Sequence, residues 1–234
     1  MEDIEAIAAL QDPVRRRLYE YVAAQGREVG RNEAAEAAGV TRTLAAHHLD
    51  RLTEAGLLES GSRRLSGRSG PGAGRPAKVY TRARAERSVS LPARDYRTAA
   101  ELLAEAAEEA GLDAGLRAAA RRRGEALRGS AAPCGDLEEA MEVLAARGYE
   151  PHLEGATGSE GEEGPTGAVA APVVRMRNCP FHVVAERFPP LVCGMNLALL
   201  EGLLGADAPV RARMDARPGE CCVVVEASGD EESF

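Results

Sequence analysis

Between Asn32 and Thr81 the chain carries a pattern that few folds accommodate. A short Ala-rich segment, residues 32–38, stops at Gly39. Thr41 then caps a second helix that runs to Ala55 and stops at Gly56. Glycine takes the left-handed conformation that ends a helix without strain, and a threonine hydroxyl satisfies one of the free amides at a helix start. Two short helices joined through Ala38-Gly39-Val40 are a helix-turn-helix signal. Leu57-Leu58-Glu59 begins a strand, residues 60–76 are rich in Gly, Ser and Arg, and Ala77 to Thr81 make the returning strand. A hairpin placed directly after the second helix predicts a winged helix-turn-helix domain over residues 1–94.

The second helix divides into two faces. Ala45, Leu49 and Leu52 fall on one and are expected to pack inward. Arg42, Thr43, Ala46, His47 and Asp50 fall on another, which is small and polar enough to enter a major groove. Arg42 and His47 can donate to base edges or phosphates, and Thr43 can do either. Any short amphipathic helix pair shows this much, and the hairpin supplies what such a pair lacks. Residues 61–87 hold eight positive charges against the single carboxylate of Glu86. Arg63, Arg64, Arg75 and Lys78 are the candidate contacts there, with Arg75 in Gly74-Arg75-Pro76 the candidate for the minor groove. The plainer alternative for this arginine run is a solvated loop.

A net charge of −8 argues against a nucleic-acid partner until its distribution is considered. Residues 1–94 hold 16 Lys+Arg and 12 Asp+Glu, net +4; residues 95–234 hold 13 and 25, net −12. Such asymmetry points to a nucleic-acid module joined to an acidic one. Aromatic residues make up only 3% and tryptophan is absent, so any core is built mainly of Ala, Leu and Val. No apolar run approaches the ~20 residues that span a bilayer, and the acidic start Met1-Glu2-Asp3-Ile4-Glu5 is unlike a signal peptide. The expectation is a cytoplasmic protein without a membrane partner, its cysteines reduced.

Ahead of the helix pair, Ile4, Ile7 and Leu10 make a short stripe, and Asp12-Pro13 reads as an N-cap with proline at the first helical position. Beyond a linker at 88–94, three Ala-rich helices are expected near 95–110, 113–128 and 136–147. The region 95–148 is read as a helical dimerisation or linker region. The first of its helices, with Ala99, Leu102, Leu103 and Ala106, is the candidate dimer element, a core helix of one protomer being the alternative. Residues 154–172 read as an acidic loop with glycine at every third position. Around it lie expected strands at 149–153, 173–177, 210–215 and 221–227, a short helix from Pro180 and a strong one at 191–204. Residues 149–234 are therefore expected to form an α+β sensor domain with an antiparallel sheet, and the whole chain is α+β.

Four of the five cysteines, Cys179, Cys193, Cys221 and Cys222, lie in the last 56 residues, while Cys134 has no partner spacing. This is not the paired spacing of a zinc ribbon. Cys179 precedes Pro180, and Cys193 is read as opening the helix from Gly194, where exposed amides would lower a thiol's pKa. The residues leave three readings open: small buried hydrophobes, cluster or metal ligation, and bare thiol redox chemistry. Strand alternation would turn Cys221 toward the core with Val223 and Val225, and Cys222 away from it.

Two resemblances bear on these readings. Leu10-Gln11-Asp12-Pro13-Val14-Arg15, Thr41 through Leu49, and Gly74-Arg75-Pro76-Ala77-Lys78-Val79-Tyr80 resemble the ArsR-type winged-helix repressors. That resemblance implies a homodimer reading an inverted repeat in double-stranded DNA. Asn178-Cys179-Pro180-Phe181-His182, Leu191 through Gly202, and Pro218-Gly219-Glu220-Cys221-Cys222-Val223 resemble the actinobacterial SufR-type repressors. This second resemblance implies an iron–sulfur cluster, [4Fe–4S] favoured and [2Fe–2S] possible, held by Cys179, Cys193 and Cys221. Candidates for a fourth ligand are His182, His152, Cys222, a carboxylate or a small molecule. The function so implied is a non-enzymatic repressor that senses redox or iron–sulfur status and controls cluster-assembly genes. The alternative is a winged-helix regulator that senses a small molecule or binds another metal and has structural cysteines. An enzyme is the remaining rival; it lacks an identifiable nucleotide-binding glycine motif or acid–base pair and leaves the basic hairpin unexplained.

Overall fold

The computed structural model describes residues 2–63, 76–155 and 171–228. The chain divides into two compact units, Met1–Arg94 and Asp95–Phe234. The helices expected at 95–148 as a region apart belong to the same unit as the second sheet.

In the first unit, α1 (Glu2–Ala9) precedes α2 (Pro13–Gln25). The Asp12 carboxylate accepts from the Val14 and Arg15 amides and starts α2, with Pro13 at its first turn. After β1 (Val29–Gly30) comes α3 (Arg31–Ala38), ended by Gly39 at φ 66°. The Thr41 hydroxyl caps α4 (Arg42–Glu54), as its position suggested. The hairpin of β2 (Leu58–Arg63) and β3 (Ala77–Arg82) pairs antiparallel from Leu58 opposite Arg82 to Arg63 opposite Ala77. Strand β1 adds on the other side of β3, giving the order β1-β3-β2. Leu18, Val22, Val29, Ala34, Ala45, Leu49, Leu52, Leu58 and Tyr80 form the core beneath these elements. This is a winged helix-turn-helix.

The second unit holds α5 (Tyr96–Glu109), α6 (Asp113–Arg128), α7 (Leu137–Ala145), β4 (Pro151–Glu154), β5 (Val173–Met176), α8 (His182–Arg187), α9 (Pro189–Leu204), β6 (Val210–Met214) and β7 (Val223–Ala227). Its sheet is antiparallel in the order β4-β5-β7-β6, so the α+β expectation holds. Val174, Met176, Val210, Val223 and Val225 pack on Ala140 and Leu144 of α7 and on Leu200, Leu203 and Leu204 of α9. The opposite face is ionic. Arg175, 2% exposed, reaches Glu154 at 2.7 Å and Asp215 at 2.6 Å, and Arg213 and Arg211 both hold Glu226. A buried guanidinium is tolerable there because three carboxylates surround it, Glu220 at 3.7 Å being the third. Of the segment expected as a glycine-rich loop, residues 156–170 lie outside the described residues.

Helices α6 and α9 cross at two glycines. A Cβ on Gly124 would lie 2.1 Å from the Leu199 carbonyl oxygen, and one on Gly202 would lie 2.2 Å from the Arg121 carbonyl oxygen. The backbones therefore touch, and Arg121 also pairs with Glu201 across the crossing. Gly202→Ala is expected to force the helices apart and lower unfolding stability by about 1–3 kcal/mol. Gly115→Ala, in open space on α6, is expected to be neutral or to stabilise by up to ~1 kcal/mol. Urea denaturation of the two variants makes the comparison.

Candidate nucleic-acid interface

The start of α4 presents Arg42, Thr43 and His47 to solvent with Ala46 half-exposed beside them, while Ala45, Leu49 and Leu52 are buried. The division follows from helical periodicity, which puts residues three and four apart on one side. Arg63 is exposed and lies 3.5 Å from Glu28. Arg64 and Arg75 lie outside the described residues.

Asp50 was read as part of the groove-facing side and Lys78 as a phosphate contact. The structure joins the two. Asp50 accepts from Lys78 Nζ at 2.8 Å, from the Tyr80 hydroxyl at 2.7 Å, and from Arg31 at 3.1 and 3.2 Å. Arg31 also donates through Nε to the Tyr80 oxygen at 2.9 Å. One carboxylate thus links α3, α4 and β3. Burial pushes the Asp50 carboxyl up, but the bonds from Lys78 and Tyr80 and the Arg31 charge outweigh it and leave the pKa below its ordinary value. Burial first, then the bond to Asp50, pushes Tyr80 up to about 12. Tyr80 was missed as a structural hub in the sequence, where its only signal is an aromatic on a basic hairpin strand.

Four of the five cysteines of the second unit lie in a chain of neighbours, Cys179, Cys221, Cys222 and Cys193. Cys179 and Cys222 both donate to Cys221, Cys193 is hydrogen-bonded to Cys222, and the Asn196 amide donates to the Cys221 sulfur at 3.4 Å. The Tyr149 hydroxyl donates to Asn196 Oδ1 at 2.5 Å and completes a buried relay that the sequence did not signal. Hydrogen bonds from Cys179 and Cys222 hold the Cys221 thiol below its usual range; the same bonds, followed by burial, push Cys179 and Cys222 up.

This arrangement overturns the expected iron–sulfur site. Among the described residues no group of three or more His, Cys, Asp or Glu side chains is placed to hold a metal ion. The donor set Cys179, Cys193 and Cys221 therefore does not fit either a [4Fe–4S] or a [2Fe–2S] cluster, and the redox or iron–sulfur sensing drawn from it falls with it. Its supporting details change too. Helix α9 begins at Pro189, so Cys193 lies inside the helix rather than at its first amides. Helix α8 begins at His182, three residues after Cys179. His182, the candidate fourth ligand, is 57% exposed and sits 3.2 Å from Glu186 on its own helix. His152 pairs with Glu220 at 3.6 Å. Strand β7 starts only at Val223, so alternation does not reach Cys222, which packs against the same core as Cys221. Cys134, read as an incidental loop thiol, is buried in that core.

Residues 10–61 match a family described as a helix-turn-helix domain. No curated protein and no solved structure matches the chain. The matched segment carries α2, α3, α4 and the start of the wing, a domain typical of non-catalytic transcriptional regulators. No helix among the described residues is long and apolar enough to cross a membrane.

Two outcomes follow. Asp50→Asn leaves Arg31 and Lys78 without their counter-charge and is expected to cost about 1 kcal/mol, a value reduced for a carboxylate this exposed. Because the folded pKa is depressed, this stabilisation is complete at neutral pH, above the unfolded value of ~3.9, and disappears as pH falls through the folded value. Urea midpoints of the two proteins should therefore differ at pH 7 and converge in acid. Separately, protein purified without oxygen should be colourless and carry no stoichiometric iron or sulfide.

Proposed function

We propose that the chain is a transcriptional regulator of the ArsR-like kind, which binds double-stranded DNA as a homodimer and answers to a small molecule. The observation that carries this reading is the exposed start of α4, with Arg42, Thr43 and His47 outward over a buried apolar face, braced by Asp50 to a hairpin wing. The family match over the same segment supports it. Arg42, Thr43, Ala46 and His47 read base edges or adjoin them; Arg63, Arg64, Arg75 and Lys78 serve the phosphates and the minor groove. Residues 1–94 are the DNA-binding domain, and residues 95–234 carry dimerisation and the rest of the response. A protein of this kind works in the cytoplasm, where its DNA is. The cysteines act as packing and hydrogen-bonding groups of the second core, which leaves sensing to a ligand rather than to a metal.

Helix α5 supports the dimer. No residue of α5 is buried in the single chain, and Leu102 and Leu103 are 61% and 72% exposed. Its other side, at Ala104 and Ala107, packs on Phe188, Leu191 and Val192. An apolar stripe left open beside a packed one suits a second copy, and a homodimer reads an inverted repeat whose half-sites lie one helical turn or a multiple apart.

Sedimentation and a DNA titration test both halves of the reading. The wild-type protein should sediment at twice 24.7 kDa and bind an inverted-repeat operator selected from genomic fragments. Leu102→Asp with Leu103→Asp should give a folded monomer with weakened operator binding. Arg42→Ala should cost about 1–3 kcal/mol and relax specificity at one position per half-site. A wild-type chain that selects no fragment overturns the reading.

A further inference from the structure

We infer that Leu44 reads the 5-methyl group of a thymine in each operator half-site. The inference rests on the reading of α4 as the helix that enters the major groove, and it names one group met there. Helix α4 carries three leucines. Leu49 and Leu52 are fully buried, whereas Leu44 is 40% exposed. The core beneath the helix takes Ala45 from the same turn and, among the described residues, not Leu44.

The place of Leu44 on the helix gives this exposure a use. It is the third residue of α4, next to Thr43 and three residues before His47, and Arg42, Thr43 and His47 are exposed as well. Residues three apart are neighbours on a helix surface, so Leu44 borders the polar edge already assigned to the bases. Its backbone is held in place, because the Leu44 amide donates to the Thr41 hydroxyl at 3.3 Å in the bond that caps the helix. A lone leucine elsewhere on a protein surface calls for no explanation. On the first turn of a base-reading helix it takes a position from which a polar side chain would bond a base edge.

The chemistry of the groove selects the partner. Base edges there present hydrogen-bond donors and acceptors, and the one apolar group among them is the thymine methyl. A leucine laid on a purine N7 or on the cytosine amine would displace water and give no hydrogen bond in return, which is unfavourable. Laid on thymine, it removes a methyl group and its own terminal carbons from water, which is favourable. A single donor such as His47 finds an acceptor on adenine, guanine and thymine alike. The methyl contact therefore adds a distinction that hydrogen bonding from this edge lacks.

The test is a methyl scan of the operator. Each thymine of the two half-sites is replaced in turn by deoxyuridine, which pairs identically and lacks only the methyl group. Binding is followed by fluorescence anisotropy at one salt concentration. With the wild-type protein, one thymine per half-site should show a loss of about fourfold, the effect of one methyl group left in water. Leu44→Ala should bind the thymine and uracil forms equally at that position and keep the wild-type ratios elsewhere. Leu44→Met, which stays apolar with a similar reach, should retain the methyl dependence. A wild-type protein indifferent to every uracil overturns the inference without recourse to a variant. A Leu44→Ala protein that still separates thymine from uracil at that position gives the contact to another residue and overturns it too. Both failures leave operator binding standing, whereas a chain that selects no operator overturns the functional reading and this inference together.

Discussion

The carboxylate of Asp50 accepts hydrogen bonds from Arg31, Lys78 and Tyr80, and the geometry of the winged helix is referred to that point. The apolar contacts beneath α4 hold the helix down but have no direction of their own. The hairpin is tied to the rest of its sheet through only two residues of β1. Contacts of that kind permit the wing to rock against the helix. Charged hydrogen bonds at fixed angles do not, because each has a narrow range of length and direction. The helix and the wing can therefore present themselves to a duplex as one surface of fixed shape, although they are separated in sequence by the turn at Gly56.

How much of this was legible depends on how local the cause is. The ends of α2, α3 and α4 follow from Asp12, Gly39 and Thr41, each acting on amides or carbonyls within four residues, so a one-dimensional reading finds them. The inward face of α4 was equally legible, since periodicity alone sets it. The role of Asp50 was not. Its helix position is half-buried on the side that carries His47 and Ala46, and only the return of β3 some thirty residues later supplies its partners. Gly124 and Gly202 were silent for the same reason: a helical glycine reads as a weak spot until the opposing backbone is in place.

The cysteines were misread because spacing carries proximity but not arrangement. Four thiols brought to one region of a fold are a necessary condition for a cluster, and here they were indeed brought together. What the spacing left unstated is how they are arranged, and among the described residues no three His, Cys, Asp or Glu side chains are placed to hold a metal ion. The helix starts at Pro189 and His182 also shifted the register on which the argument from exposed amides depended. A proline can occupy the first turn of a helix at no loss, since its missing N–H would have had no partner there.

The ionic face of the second sheet has a consequence for assembly. Strand β6 is an edge of that sheet, and its Arg211 and Arg213 are engaged by Glu226 on the neighbouring strand. A foreign strand docking on this edge would have to lie alongside two guanidinium groups already committed to a carboxylate, and it would strip water from them without offering a better counter-charge. Edges furnished in this way resist the uncontrolled strand-to-strand joining that leads to fibres. Any association between copies is thereby steered away from this edge and toward exposed apolar side chains such as Leu102 and Leu103 of α5.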